Sequence, residues 1–405
     1  MGTALSAGFK RLAWSNLAAQ SAEQVALAAA PIVAVIALGA DAGATGLLQT
    51  AQTLPFLLLS VPAGVLADRG SRRGLMAGAE ALRAFALAAV LTFAYAGLLT
   101  LPLLAVCGFV GACGTVAYSV TAPALVPSLV PAHALPEANG RIELARTVAF
   151  AGGPALAGAL VGWTGSTPAF GVAVALSMSA VVLLAGVREP VRSRVASRRL
   201  LHELREGAVF VFGHPLLRPI FLTQLVFNTA AFVLHAVYVP YAIHRLGLSA
   251  LGVGVTVATY GLGMVVGALL APHLMRRLPF GPVIVLGPTA GLAASLVMVL
   301  TLWIPAGWLA AFSFFLLGIG PIVWVVSTAT LRQTVTPANL LGRASALSMT
   351  ATGARPIGAA LGGLLGASYG AETCLVVAAV GFFVQAMLIV TSPVPALGRR
   401  AQIAA

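Results

Sequence analysis

Residues 64–74 read GVLADRGSRRG, a charged turn between two apolar runs that are each long enough to cross a lipid bilayer. Gly70 permits a tight reversal of the chain at this point. Arg69, Arg72 and Arg73 favour the cytoplasmic side, because short loops on that side of a membrane are rich in Arg and Lys. The stretch therefore predicts a short, water-exposed loop between two transmembrane helices.

The composition excludes an ordinary soluble domain. Hydrophobic residues make up 60% of the 405 residues and charged residues only 8%, whereas about 25% of a soluble domain is charged. A net charge of +13 alone would suit a nucleic-acid-binding protein, but such a protein gathers its cations on one water-exposed surface. Here most of the 23 Lys and Arg residues fall on alternate loops. We therefore expect a multi-pass protein of the cell membrane with both termini cytoplasmic, lipid as its surroundings and no nucleic-acid partner.

Twelve segments of about 20 mainly apolar residues, the length needed to cross a bilayer, can be placed between the loops. The first six cover residues 13–38, 44–66, 75–99, 101–126, 142–163 and 168–187. The second six cover residues 217–241, 250–274, 282–303, 307–330, 344–367 and 372–392. These segments predict an all-α membrane protein whose twelve transmembrane helices form two pseudo-symmetric six-helix halves. The halves are residues 1–187 and 216–405, and residues 188–215 form a cytoplasmic linker with a short amphipathic helix.

Polar patterns of the first half recur in the second half, which indicates a duplicated six-helix unit. The recurring pairs are Gln20 with Gln224, Gln24 with Asn228, Arg72 with Arg276, Arg73 with Arg277, Tyr118 with Trp324, Thr121 with Ser327, Arg141 with Arg343, and Pro154 with Pro356. Two such halves place a binding site near the middle of the membrane, where they meet.

The loop around Asp68 resembles the loop between the second and third helices of the major facilitator superfamily of secondary transporters. Its apolar lead-in, LPFLLLSVPAGVLADRGSRR at residues 54–73, is similar to the drug and siderophore exporter branch that includes the macrolide and enterobactin exporters. The resemblance implies that Asp68, Arg69, Arg72 and Arg73 lock the two halves together on the cytoplasmic side in the outward-facing state. For the arginines, a role as topological anchors is an equal alternative.

A second resemblance lies on the fifth predicted helix. AFAGGPALAG, residues 149–158, is similar to the antiporter motif G-x-x-x-G-P-x-x-G-G of the same superfamily, and Gly153, Pro154 and Gly158 match it. The motif favours export over import. Many proton antiporters of the superfamily also carry an arginine in the fourth helix. Residues 101–126 contain none, which excludes proton coupling at that position.

Polar residues form stripes on the first and seventh predicted helices. Polar groups that face lipid lose their hydrogen bonds, so these stripes are expected to face protein or a water-filled cavity. The resemblance implies that helices one, four, seven and ten line that cavity. The predicted cavity residues are Gln20, Gln24, Tyr118, Gln224, Asn228, Tyr238, Trp324 and Ser327. For each amide, a hydrogen bond between helices is an equal alternative to substrate contact.

Glu23 is the first candidate for a proton carrier. It follows Arg11 by about twelve residues, or roughly 18 Å of helix, which places it near the middle of the bilayer. A carboxyl group there can be protonated or ionised according to which side of the carrier is open. The alternative is an acid that is permanently protonated or paired. His235 on the seventh predicted helix is the second candidate, with a purely structural role as its alternative.

Further charged residues lie within the predicted spans. Glu80 and Arg83 are three residues apart, as are Glu143 and Arg146, so both pairs are expected to form local ion pairs whose role is more structural than functional. Arg355 has no acid within one helical turn. Its charge must be balanced by a residue on another helix, by the C-terminal end of a helix, or by an anionic substrate.

These features predict a transporter. No phosphate-binding G-x-x-x-x-G-K-[ST] motif is present, and the three cysteines lack the spacing of a metal or redox site, so we expect no cofactor, no metal and no enzyme activity. The predicted function is export of a small amphipathic compound, such as a drug, siderophore or secondary metabolite, by a monomer that exchanges it for protons from the proton gradient. The alternatives are an importer or uniporter of the same fold, and a membrane sensor or scaffold that does not transport.

Overall fold

The structure is a computed structural model that describes residues 6–131, 134–189, 200–337 and 340–398. These residues contain helices and no strands, which confirms the predicted all-α class. The helices are α1 Ala7–Leu38, α2 Ala42–Arg69, α3 Arg72–Tyr95, α4 Leu101–Leu125, α5 Leu135–Thr164, α6 Ser166–Ala185, α7 Leu200–Gly213, α8 Leu217–His244, α9 Ala250–Arg277, α10 Phe280–Leu300, α11 Gly307–Val335, α12 Leu341–Thr350 and α13 Ala354–Val390.

The helices account for the twelve predicted spans. Ten helical segments of the described residues are long and apolar enough to cross a membrane. One of these, residues 343–390, contains two spans, because α13 breaks at Gly370, where a φ of 84° requires a residue without a side chain. The 28-residue helix α2 completes the set.

Two helices begin earlier than the apolar pattern predicts. The spans were expected to begin at residues 13 and 142, whereas α1 begins at Ala7 and α5 at Leu135. Hydropathy marks only the part of a helix that lies in hydrocarbon, so it misses polar turns that extend into water. In α1 the extra turn is stabilised by Ser6, whose hydroxyl oxygen accepts a hydrogen bond from the backbone N–H of Phe9 at 3.1 Å.

The described part of the linker forms α7, which packs against α12. Glu206 of α7 forms an ion pair with Arg343 of α12 at 2.6 Å. Gly207 fits directly over the Arg343 backbone, where an added Cβ would lie 2.6 Å from the carbonyl oxygen. Residues 190–199 of the predicted linker lie outside the described residues. We call the side of the bundle that carries α7 the linker side, and the other side the far side.

Small residues hold the two halves together toward the far side. An added Cβ on Gly46 of α2 would lie 2.1 Å from the Cα atom of Gly363 of α13, and one on Gly254 of α9 would lie 2.9 Å from the Cα atom of Gly158 of α5. Helix backbones therefore touch across the interface, with no room for side chains. Among the described glycines, those that contact the other half lie in the far-side or middle parts of their helices. The two halves are thus in direct backbone contact on the far side.

Candidate functional site

A central cavity of about 270 Å³ lies between the two halves. Its walls come from α1, α2 and α5 of the first half and from α8, α9, α11 and α13 of the second. Charged, amide and imidazole side chains in the walls belong to Glu23, Gln24, Gln49, Gln52, Arg146, Asn228, His235 and Arg355. Aromatic rings in the walls belong to Phe56, Phe150, Phe227, Phe232, Tyr238 and Tyr260. The cavity therefore combines a large aromatic surface with a few charges, as small-molecule sites do.

Glu23 shares one buried arginine with a second acid. Arg83 of α3 lies 2.7 Å from Glu80, one turn earlier on the same helix, and 3.7 Å from the carboxylate of Glu23 on α1. Its guanidinium also donates to the carbonyl oxygen of Ala19 at 2.9 Å and to the hydroxyl of Thr115 at 2.8 Å. The expected pair of Glu80 and Arg83 is formed. Its link to Glu23 is a contact between helices that spacing along the chain does not reveal.

Glu23 also lies beside a second, smaller space. A chamber of about 60 Å³ inside the first half is lined by Glu23, Arg83, Thr115 and Gln52 together with apolar side chains. The carboxyl group therefore stands where the central cavity meets the interior of one half. This is a suitable position for a group that binds and releases a proton.

The second predicted ion pair is also formed, at the cavity wall. The guanidinium of Arg146 donates to both carboxylate oxygens of Glu143, and it lies 5.5 Å from the ring centre of Phe150. Arg146 lines the central cavity with its charge already balanced by an acid on its own helix.

Arg355 has a different environment, with two aromatic rings close to its guanidinium. Its Nε donates to the side-chain oxygen of Asn228 at 3.2 Å. Its guanidinium carbon lies 5.5 Å from the ring centre of Phe56 and 5.4 Å from that of Phe232. Among the described residues it forms no ion pair. The sequence left three possible partners for this arginine. The structure supplies an amide and two rings, which satisfy part of the guanidinium and leave its charge without a carboxylate.

His235 and Tyr238 line the cavity, but their polar atoms bind nearby helix groups. Nδ1 of His235 lies 2.7 Å from the carbonyl oxygen of Ala231 one turn earlier, which fixes Nδ1 as the protonated nitrogen of the neutral ring. The hydroxyl group of Tyr238 lies 2.5 Å from that of Thr256. In this conformation Tyr238 offers its ring, and not its hydroxyl group, to a ligand.

Three predicted cavity residues are buried and do not line this cavity in the conformation described here. Tyr118 is fully buried, with its hydroxyl 3.4 Å from that of Ser15. Trp324 packs against Gly287 of α10, and Ser327 donates to the Trp324 carbonyl oxygen at 3.1 Å. These residues face the interior of their own six-helix half, because α4 and α11 do not turn this side toward the other half.

The amides Gln20 and Gln224 are half-buried and lie outside the cavity walls. They are one turn closer to the linker side than Gln24 and Asn228, which do line the cavity. The carbonyl oxygen of Gln224 accepts a hydrogen bond from the side-chain nitrogen of Asn228 at 2.9 Å. The two stripes therefore meet the cavity only at their deeper positions.

The predicted cytoplasmic lock involves contacts within the first half. Arg72 donates to the carbonyl oxygen of Ala124 on α4, and Arg73 donates to that of Val187 after α6 at 3.3 Å. The side chain of Asp68 lies outside the described residues. Arg69 is exposed at the end of α2. A lock between halves in another conformation stays a prediction.

Glu189 organises this loop, although the sequence analysis did not single it out. Its carboxylate accepts hydrogen bonds from the backbone N–H groups of Arg72 at 3.1 Å and Arg73 at 3.0 Å, and from the hydroxyl of Ser71 at 2.8 Å. Burial alone would raise the pKa of Glu189, but the Arg73 N–H, the Ser71 hydroxyl and the Arg72 N–H outweigh it and lower the pKa. A carboxylate more than a hundred residues away thus caps the start of α3.

The small residues of the predicted antiporter motif lie at helix contacts. An added Cβ on Gly153 would lie 2.4 Å from Cβ of Gln24, and one on Gly158 would lie 2.5 Å from the carbonyl oxygen of Ala250. Pro154 lines the central cavity. The motif thus joins the cavity wall to the contact between α5 and α9.

The aromatic rings beside Arg355 were missed because apolar aromatic residues in a span can face either lipid or protein. Only the position of Arg355, which needs partners, signals that such rings are close. In the part of the chain that the structure describes, no group of three or more His, Cys, Asp or Glu side chains is placed to hold a metal ion.

Comparisons with known proteins agree with this architecture. The family model described as "Transmembrane secretion effector" (MFS_3) matches residues 8–405. The uncharacterized MFS-type transporter y4rN of Sinorhizobium fredii is 30% identical over 255 residues, which cover 60% of this chain and 60% of that protein, less than two thirds of its length.

Two solved structures show the same fold. A bacterial homologue of the iron transporter ferroportin in an inward-facing state superposes with a TM-score of 0.76 at 17% identity, covering 95% of this chain and 98% of that one. The nucleoside transporter NupG superposes with a TM-score of 0.74 at 15% identity, covering 95% and 99%.

Proposed function

This chain belongs to the transmembrane secretion effector family of major facilitator transporters, and from that premise we propose that it exports a small amphipathic compound in exchange for protons. The family and the fold make it a membrane transporter. We propose the direction of transport, its coupling to protons and the class of cargo.

The position of Glu23 carries this proposal. Its carboxylate lies on the wall of the central cavity and within 3.7 Å of Arg83, which also holds Glu80. Two carboxylates that share one guanidinium leave one negative charge unbalanced when both are ionised. A proton on one of them removes that excess charge, so the cluster can hold a transported proton.

Coupling requires that protonation and cargo favour different conformations. In the conformation described here the halves meet toward the far side, as in a carrier whose cavity is reached from the linker side. We propose that cargo binds in this conformation while Glu23 is ionised, and that the return step follows protonation of Glu23 from the other side. Export is supported by the residues of the antiporter motif at the far-side contact between the halves.

The test uses purified protein in liposomes with an imposed pH gradient and a panel of amphipathic fluorescent dyes. Wild type is expected to move a dye against its gradient when protons flow the opposite way. Glu23→Gln should abolish this gradient-driven movement but retain counterflow of the same dye, because exchange does not require net proton release. Glu137→Gln, at an exposed ion pair with Arg141, is the matched control and should transport normally.

Gradient-driven transport by Glu23→Gln at the wild-type rate would refute the role of this carboxyl group. Movement of dye in the same direction as the protons would indicate import and would contradict export. Dye that binds without counterflow would indicate the alternative of a sensor or scaffold.

A further inference from the structure

We propose that the cargo is an organic anion with an aromatic body, held by Arg355 between Phe56 and Phe232. This inference rests on the proposed transport function and names the class of its substrate. It starts from an arginine that lines the central cavity and forms no ion pair among the described residues.

The hydrogen bonds of Arg355 leave most of its donors available. Among the described residues its one hydrogen bond joins Nε to Asn228. The terminal nitrogens Nη1 and Nη2 donate to no described residue, and the side chain lines the central cavity. A guanidinium with two free terminal nitrogens presents a planar pair of donors that matches a carboxylate, sulfonate or phosphate.

No acid of the described residues lies within ion-pair distance of Arg355. Glu23 lies 3.7 Å from Arg83, and Glu143 forms an ion pair with Arg146. Among the described residues, none of these acids pairs with Arg355. A charge held at this depth of the membrane requires compensation, and an anionic cargo supplies it.

The rings around the guanidinium define the rest of the ligand. The guanidinium carbon of Arg355 lies 5.5 Å from the ring centre of Phe56 and 5.4 Å from that of Phe232, and all three residues line the central cavity. Phe150, Phe227 and Tyr260 extend the aromatic surface of the same cavity. A flat apolar body beside the anionic group would pack against these rings. A small hydrophilic anion such as phosphate alone would make few contacts with them.

The site also spans the two halves. Phe56 belongs to α2 of the first half, whereas Asn228 and Phe232 belong to α8 and Arg355 to α13 of the second half. A movement of the halves relative to each other must therefore change the surroundings of the bound anion. This gives the cargo different affinities in the two conformations, as transport requires.

The test compares three probes of nearly equal shape: naphthoate, neutral naphthalenemethanol and cationic naphthylmethylammonium. Binding to detergent-purified protein is measured by isothermal titration calorimetry, with protein-free micelles as the blank. We expect naphthoate to bind most tightly to wild type. Arg355→Gln should weaken naphthoate about tenfold or more but leave naphthalenemethanol unchanged, because only the charge-assisted contact is lost.

Two variants sharpen the comparison. Arg355→Lys keeps the charge but loses the paired donors, so its affinity for naphthoate should lie between those of wild type and Arg355→Gln. Arg141→Gln removes an exposed arginine that pairs with Glu137 and should bind all three probes as wild type does. An unchanged affinity for naphthalenemethanol also shows that the Arg355 variants are folded.

The inference is overturned if naphthylmethylammonium binds more tightly than naphthoate, or if Arg355→Gln binds naphthoate as well as wild type. Counterflow in liposomes separates this failure from failure of the proposed function. If the cation exchanges but the anion does not, the proposed transport function is retained and the proposal of an anionic cargo is refuted. If neither the dyes nor the three probes exchange, the proposed transport function is refuted, and so is this inference.

Discussion

At the scale of single residues, buried charges explain most of the candidate site. Arg83 lies beside the carboxylates of Glu80 and Glu23, and its two terminal nitrogens donate to a carbonyl and a hydroxyl oxygen. Burying charged groups is unfavourable unless they are paired and hydrogen-bonded. Arg355 departs from this rule by having rings and one amide in place of an acid. That departure is the observation on which the proposed anion site rests.

Glu189 allows a prediction at this scale. Because its folded-state pKa lies below the ordinary value of 4.5, the ionised carboxylate stabilises the fold above that value. The contribution is lost as the pH falls through the folded-state pKa. Glu189→Gln should therefore lower the thermal midpoint of unfolding at pH 7. The expected loss in the free energy of unfolding is about 1 kcal/mol, as for a lost helix cap.

The measurement is thermal unfolding of the detergent-purified protein at pH values from about 3 to about 7. This range includes the ordinary pKa of a carboxyl group. The difference between Glu189→Gln and wild type should shrink toward the acidic end. A constant difference across this range would show that the ionised carboxylate does not stabilise the start of α3.

Sequence reasoning located the charges of the site but not all their partners. The depth of Glu23 and the missing acid near Arg355 followed from spacing along one helix, as did the pair of Glu80 and Arg83. The contact of Glu23 with Arg83 depends on how α1 packs against α3, and spacing contains no such information. Spacing also does not show that Tyr118 lies outside this cavity, because which side of α4 faces the cavity depends on the rotation of the helix.

At the scale of elements, glycine contacts determine how closely the helices approach. The contact of α5 with α9 is tight enough that an added Cβ on Gly254 would lie 2.4 Å from the carbonyl oxygen of Pro154. Backbone cannot yield to such an overlap as a flexible side chain can. This contact between halves should therefore fail when a larger residue is introduced.

Gly254→Val tests that expectation. The two added methyl groups should force α5 and α9 apart and disfavour the conformation described here. Spin labels at Thr164→Cys and Arg245→Cys, both exposed at far-side ends of helices, report the separation by double electron-electron resonance. We expect a longer distance and loss of transport. Gly152→Ala is the control, because nothing lies within 4 Å of its added Cβ.

An unchanged distance in Gly254→Val would show that this contact does not hold the halves together. The helices themselves were largely predictable, since α2 and α9 follow apolar runs bounded by charged or glycine-containing turns. The starts of α1 and α5 were not predictable, because their first turns are polar and lie outside the apolar pattern.

At the scale of the whole molecule, the repeat in the sequence predicted two similar halves, and the structure places a cavity where they meet. The conformation could not be predicted, since one sequence must support both arrangements of the halves, and the free energies of these arrangements differ by only a few kcal/mol. The contacts of small residues toward the far side identify the arrangement seen here. Under the proposed mechanism, water should therefore reach the cavity from the linker side in this arrangement.

The most direct test of this account is the reactivity of a single cysteine in the central cavity. Gln49→Cys, on the cavity wall in a background without Cys107, Cys113 and Cys374, is exposed to a membrane-impermeant maleimide in vesicles of both orientations. We predict that labelling is faster from the linker side, that naphthoate slows it, and that adding Gly254→Val increases labelling from the far side. Labelling from neither side, or equal labelling from both sides that naphthoate and Gly254→Val do not alter, would contradict a wet cavity that opens alternately between two halves.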